Sequence, residues 1–154
     1  MNTYAVVVEH EKCWGCKTCE VACKQEFELA PGLKLVSVEE DGPQMIGDTL
    51  QFQYRVNLCR HCDEPPCAEA CLEGAIVKRP DGIVVLDENR CTGCLACQEA
   101  CPYDAIDFDA DASVARKCNL CYHRVDYGLI PACADNVCLA HCIHFSVAAE
   151  SIGQ

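Results

Sequence analysis

Hydrophobic and polar positions alternate clearly in only a few short stretches of this chain. Thr3 to Glu9 is rich in β-branched and aromatic residues and predicts a short strand. Lys24 to Glu28 can continue a short helix begun before it. Leu35-Val36-Ser37-Val38 and Leu50-Gln51-Phe52-Gln53-Tyr54-Arg55-Val56 alternate well enough to be two strands, with their turn placed at Asp41-Gly42-Pro43. This predicts a hairpin over 33–56, inserted between cysteine-rich segments as a cover or docking element. Further on, the Pro80-Asp81-Gly82 turn leads into a strand at Ile83 to Leu86. No window reaches the roughly 20 apolar residues needed to span a bilayer, so direct membrane insertion is not expected.

Cysteine dominates the stretches between these elements, 17 residues in a chain of 154. Such density means either a disulfide scaffold or a metal protein. Cys91-Thr92-Gly93-Cys94-Leu95-Ala96-Cys97-Gln98-Glu99-Ala100-Cys101-Pro102 reads C-x2-C-x2-C-x3-C-P. That is the bacterial iron–sulfur run, in which three thiolates hold one [4Fe–4S] cluster and the fourth reaches another. Two-residue gaps let the chain curl round one cubane, whereas the fourth cysteine follows a started helical turn and points away. Cys13-Trp14-Gly15-Cys16-Lys17-Thr18-Cys19-Glu20-Val21-Ala22-Cys23 repeats the spacing without the proline. Cys59, Cys62, Cys67 and Cys71 form a C-x2-C-x4-C-x3-C version with Pro65 and Pro66 in the enlarged gap. Cys71-Leu72-Glu73-Gly74-Ala75-Ile76 then aligns with Cys101-Pro102-Tyr103-Asp104-Ala105-Ile106, which makes 57–108 an internal repeat with the layout of a two-cluster ferredoxin. If each motif gives three ligands locally and one across, one cluster takes Cys59, Cys62, Cys67 and Cys101. The other takes Cys91, Cys94, Cys97 and Cys71.

The last group, Cys118, Cys121, Cys133, Cys138 and Cys142, is irregular and allows two registers. Spacing matches Cys138-x3-Cys142 to the other x3 pairs and leaves Cys133 spare. The repeat instead aligns Cys138-Leu139-Ala140-His141-Cys142-Ile143 with the two segments above, which makes Cys138 the cross-reaching ligand and sets Cys142 where Ala75 and Ala105 stand. A structural zinc site built from Cys118, Cys121 and two of Cys133, Cys138, Cys142 or His141 is the alternative here, with His141 or Cys142 as substitute ligands.

Charge and compartment narrow the classes. The formal net charge is -12 before any anionic cluster is counted, which disfavours nucleic acid and anionic lipid as partners and favours basic patches on another protein. The first ten residues lack a basic region, a long apolar region and a twin arginine, so the expected location is the cytoplasm, where paired thiols are more often metal ligands than disulfides. There is no G-x-G-x-x-G, no G-x4-G-K-[ST] and no nucleophile–base pair, and cysteines committed to iron cannot act as nucleophiles. The chemistry on offer is one-electron transfer, with no catalytic residue.

With these four groups, the chain resembles the four-cluster ferredoxin-like electron-transfer subunits of molybdenum- and tungsten-pterin oxidoreductases, of the dimethyl sulfoxide reductase and formate dehydrogenase type. Beyond the cysteines, the resemblance is carried by Pro65-Pro66, by Arg116-Lys117-Cys118-Asn119-Leu120-Cys121-Tyr122-His123-Arg124 and by Gly128-Leu129-Ile130-Pro131-Ala132-Cys133. It implies that Cys13, Cys16 and Cys19 are completed by Cys138, and Cys118, Cys121 and Cys133 by Cys23. Two features depart from the family pattern: four residues rather than three separate Cys133 from Cys138, and Leu139 replaces the proline that follows the last ligand. In its brevity the chain is more similar to the small iron–sulfur subunits that accompany tungsten enzymes, the aldehyde:ferredoxin oxidoreductase type and benzoyl-CoA reductase assemblies among them.

The expected fold is α+β: tandem ferredoxin-like [4Fe–4S] units, 57–108 and 1–32 with 109–154, beside the inserted hairpin. The expected function is a relay of single electrons through four clusters, between an external donor or acceptor protein and a larger molybdenum- or tungsten-pterin catalytic subunit. A stand-alone soluble polyferredoxin and a zinc-binding interaction module are the alternatives. Around the ligands, His61 and His123 are candidate hydrogen-bond donors to cluster sulfur, with His123 more simply a polar loop residue; His10 and His144 carry no signal. Trp14 reads as a hydrophobic cover, and Lys17, Lys24, Arg60, Arg116 and Lys117 would raise cluster potentials where they lie near sulfur. With so thin an apolar core, cluster binding should supply much of the folding stability.

Overall fold

A computed structural model describes residues 3–148. Within them are four two-stranded antiparallel sheets and four short helices. Strand β1 (Thr3–Val8) pairs with β8 (Ile143–Ala148), from Thr3 opposite Ala148 to Val8 opposite Ile143, so the first and last strands close on each other. Next come α1 (Thr18–Glu26), β2 (Val36–Ile46), β3 (Thr49–Leu58), α2 (Pro66–Glu69) and β4 (Ile76–Lys78). The chain continues with β5 (Val84–Leu86), α3 (Ala96–Ala100), β6 (Ile106–Asp109), β7 (Val114–Lys117) and α4 (Tyr122–Val125). Short paired strands and short helices make this an α+β, ferredoxin-like arrangement.

The turn expected at Asp41-Gly42-Pro43 is absent. β2 runs on through those residues with a register shift between Asp41 and Gln44, and reverses only at Gly47-Asp48. The reason is local: a two-residue hairpin turn needs positive φ at its first central position, and Gly47 supplies φ +61° there. The strands consequently reach further than the periodicity implied. Val36, Val38, Val56 and Leu58 near the base are buried, whereas Met45, Leu50 and Phe52 toward the tip are exposed.

Two apolar clusters form the core, and sulfur is a principal ingredient of both. One gathers the hairpin base with Cys19, Cys23, Cys133, Cys138, Cys142 and Ile143. The other packs Ile76, Val84, Ile106 and Ala115 around Cys67 and Cys97. Between them the connections are polar: Lys34 N–H donates to Asp107 Oδ2 at 3.0 Å, and Asn57 Nδ2 donates to Tyr103 O at 2.8 Å.

Buried Glu20 on α1 anchors the hairpin. Its Oε1 accepts the Val38 N–H at 2.6 Å, and its Oε2 meets Lys34 Nζ at 3.1 Å. His144 on β8 joins Glu9 (2.8 Å) and Asp135 (3.0 Å), clasping the paired strands.

Replacing Glu20 with alanine strands the buried Val38 N–H and should cost about 1–3 kcal/mol, read as a lowered denaturant midpoint of the metal-loaded protein. The His144 clasp should be pH-dependent. Hydrogen bonds that His144 donates to Glu9 and Asp135 raise its pKa above the ordinary 6.5, and those that Lys12 and His144 donate to Glu9 hold Glu9 below 4.5. The histidine contribution is therefore complete below 6.5 and fades as pH climbs through the raised value, while the Glu9 contribution fades on acidification below 4.5. His144→Gln should differ most from wild type between those two values and converge with it in mild alkali, measured by thermal unfolding across pH.

Candidate metal centres

The same backbone bend recurs in all four cysteine groups. The residue just before the second cysteine is left-handed each time: Gly15 (φ +69°), His61 (φ +46°), Gly93 (φ +70°) and Leu120 (φ +56°). In the first and third groups the residue after that cysteine is left-handed as well, Lys17 at +59° and Leu95 at +64°, and a helix carrying the third cysteine begins directly behind it. This sequence of turns curls the chain so that consecutive thiols face a common centre. Glycine takes that conformation freely, while His61 and Leu120 occupy it at a cost of roughly 1–2 kcal/mol each. Two glycines are also sterically required. A methyl group on Gly93 would stand 2.5 Å from the Ser113 carbonyl oxygen, and one on Gly15 would stand 2.3 Å from the Tyr54 ring.

Three cavities collect the cysteines. Cys59, Cys62, Cys67 and Cys101 line one, together with Pro65, Pro66 and Lys117. Cys71, Cys91, Cys94 and Cys97 line a second. Cys13, Cys16, Cys19, Cys138 and Cys142 line a third, with Trp14, Lys17 and Ala140. Cys23, Cys118, Cys121 and Cys133 form a fourth group, all buried. The Cys133 thiol is pushed up by burial first and then by Cys118, Cys23 and Cys121, and Cys23 by burial and then by Cys118 and Cys121.

The C-terminal group follows the repeat. His141 is left-handed (φ +49°), as are Gly74 (+58°) and Asp104 (+50°). Cys142, fully buried, stands where Ala75 and Ala105 stand, and its N–H donates to Cys138 Sγ at 3.4 Å as the Ala75 N–H does to Cys71 Sγ at 3.3 Å. Cys142 Sγ itself is 3.5 Å from Cys138 Sγ.

Backbone N–H groups point at sulfur elsewhere too: His61 to Cys59 (3.4 Å), Leu120 to Cys118 (3.3 Å) and Ala115 to Cys91 (3.4 Å). Such donors favour thiolate and tune a bound metal. Without metal the thiolates are expensive. Burial pushes Cys19 and Cys118 up to about 12 and Cys67 up to about 11, so metal uptake must release protons. Among the described residues no group of three or more His, Cys, Asp or Glu side chains is placed to hold a single metal ion. One further donor fits such a group. His61 accepts the Val84 N–H on Nδ1 at 2.9 Å, so its proton sits on Nε2, which is buried without a partner among the described residues.

The other candidate side chains are spread out. His123 Nε2 meets Glu26 at 2.7 Å and fastens α4 to α1 with Arg124. Trp14 is 66% exposed at the mouth of its cavity. Arg60 lies over the Tyr103 ring at 4.4 Å, and Arg116 is taken up by Asp109 and Glu88. His10, which carried no sequence signal, accepts the Val56 N–H on Nδ1 at 3.2 Å.

Residues 50–148 match the 4Fe-4S dicluster domain family, and residues 10–26 match a 4Fe-4S binding domain. The protein belongs to this family. It binds several [4Fe–4S] clusters. It is 38% identical over 140 residues to a subunit of the tetrathionate reductase of Salmonella typhimurium, covering 88% of this chain and 54% of that protein. It is equally 38% identical over 140 residues to a component of the anaerobic dimethyl sulfoxide reductase of Escherichia coli, covering 86% and 68%. The thiosulfate reductase electron transfer subunit PhsB of Salmonella typhi is 35% identical over 152 residues, covering 97% and 79%. The chain thus spans about half the length of the first relative and more of the others. Among the described residues no helix is long and apolar enough to cross a membrane.

Gly93→Ala should be far more damaging than Gly47→Ala. Both sit at positive φ, but Gly47 has open space around it, whereas Gly93 meets a backbone oxygen. Gly47→Ala should cost about 1–2 kcal/mol. Gly93→Ala should additionally lose iron from the Cys91 cavity, which metal analysis of the two purified variants reads.

Proposed function

We propose that this chain is a wire, passing single electrons between an external donor or acceptor protein and a larger catalytic subunit that carries a molybdenum- or tungsten-pterin cofactor. Four [4Fe–4S] sites are assigned: Cys13, Cys16, Cys19 and Cys138; Cys23, Cys118, Cys121 and Cys133; Cys59, Cys62, Cys67 and Cys101; and Cys71, Cys91, Cys94 and Cys97. They account for all but one of the 17 cysteines and leave Cys142 as the spare thiol. The clusters supply one-electron chemistry, and the chain supplies spacing, insulation and hydrogen bonds to sulfur.

The observation that carries this reading is the order of the four sets. Cys19 neighbours Cys133, Cys118 neighbours Cys59, and Cys67 packs in one core with Cys97. These proximities support an order running from the Cys13 set through the Cys118 and Cys59 sets to the Cys91 set. The thiols of the set built on Cys118 are all buried, whereas Cys16 at one end and Cys94 at the other are exposed. Exposed cysteines in both outer sets, with the Cys118 set shielded between them, suit a carrier with one partner at each end. The names of the relatives, components of tetrathionate, dimethyl sulfoxide and thiosulfate reductases, support a catalytic partner of that class. On this reading the two units, 57–108 and 1–32 with 109–154, each hold two sites, and the hairpin over 33–56 is the inserted element beside them.

Iron and acid-labile sulfide per chain test the assignment, with about sixteen of each expected. About twelve irons with one zinc would convert the Cys118 set to a zinc site. Cys133→Ala should remove about four irons, whereas Cys142→Ala should remove none. Co-purification with a large pterin-containing subunit separates the wire from a freely diffusing ferredoxin.

A further inference from the structure

Lys117 is the one buried cation among the described residues, 6% exposed at the end of β7. Its Nζ donates to Val84 O at 2.5 Å and to Cys118 O at 2.7 Å. Both partners are neutral carbonyls. An ammonium has three donors, and among the described residues no carboxylate pairs with this one, although Lys34, Lys78, Arg79, Arg116 and Arg124 are all paired. A buried charge without a counter-ion is strongly unfavourable. Something negative therefore belongs beside it.

Its position says what. Lys117 lines the cavity of Cys59, Cys62, Cys67 and Cys101, and it is covalently next to Cys118 of the neighbouring set. Its charge draws the thiols of Cys67 and Cys118 downward against their burial. The Val84 peptide pins the arrangement from both sides, giving its N–H to His61 of one motif and its carbonyl to Lys117 of the other. The ammonium is thus fixed at the seam between two cysteine sets.

We propose that Lys117 is the shared counter-cation of these two sites and raises the reduction potentials of both together. The inference rests on the assignment of a cluster to each set. A thiolate-ligated cubane is anionic and gains one more negative charge when it accepts an electron. A fixed positive charge in a poorly screened interior stabilises that reduced form more than the oxidised one. Because one ammonium serves both sites, the step between them stays level while the pair is raised against the two outer sites.

The test is a redox titration with dithionite as reductant, followed by electron paramagnetic resonance, on wild type, Lys117→Met and Lys117→Gln. Iron and sulfide are measured on each sample. In both variants two of the four couples should move to more negative potential by at least tenfold in the equilibrium constant, about 59 mV for one electron, while the other two move less. Fewer than four clusters in wild type would sink the underlying assignment, whatever Lys117 does. With four clusters present in a variant, no movement, movement of a single couple, or equal movement of all four would overturn the role given to Lys117. Loss of clusters from both variants would overturn it too, because the charge would then serve assembly rather than potential.

Discussion

A cluster held by four thiolates needs sulfur atoms on four sides of a group several ångströms across, and a short chain segment can provide that only by reversing its twist between ligands. The left-handed residue before the second cysteine is how this protein does so in each of its four groups. Much else follows from that bend. Glycine is required where the neighbouring chain comes close, as at Gly93 against Ser113 and Gly15 against Tyr54. Where no glycine is present, the strained residue is held by its surroundings: His61 by the Val84 N–H and Leu120 by complete burial.

The bend also shapes the core. In an ordinary domain of this length, branched aliphatic side chains fill the centre; here cysteines occupy a large share of both apolar clusters. Burial lifts most of these thiols above the ordinary range, Cys19 and Cys67 among them, whereas Cys138 is held below it, against its burial, by hydrogen bonds from Cys142. Cluster binding therefore changes charge state, core packing and stability together. The polar anchors are placed accordingly. Glu20, next to ligand Cys19 in sequence, reaches the hairpin, and His123, next to Cys121 but one, reaches α1. Residues adjacent to the cysteines thus transmit the position of the sites to the rest of the fold.

Electron transfer along such a chain depends on distances and potentials, and these are set by different features. Spacing follows from the crossed cysteines, each of which ties one set to the next motif. Potential is adjusted by what surrounds the sulfur: backbone N–H groups at 3.3–3.4 Å, the buried His61, and Lys117, the one buried ammonium among the described residues. Of the two inner sets, the one built on Cys118 has all four cysteines buried, the surroundings in which a single charge acts strongly.

The sequence alone determined the chemistry. Cysteine spacing is a covalent property, so iron–sulfur ligation and the repeat of Cys71–Ile76 with Cys101–Ile106 were legible from the order of residues. It placed the hairpin but misplaced its turn, because Asp41-Gly42-Pro43 has turn composition whereas Gly47-Asp48 has the turn geometry, and a strand can absorb the former as an irregularity. Periodicity gave no hint that the first and last strands pair, nor that His144 fastens them, since contacts between residues 135 apart in sequence leave no local pattern. Only the tertiary structure decided which side chains surround each set. Lys117 and Arg116 are adjacent basic residues before the same cysteine; strand alternation sends one to Asp109 and Glu88 and buries the other between two cysteine sets.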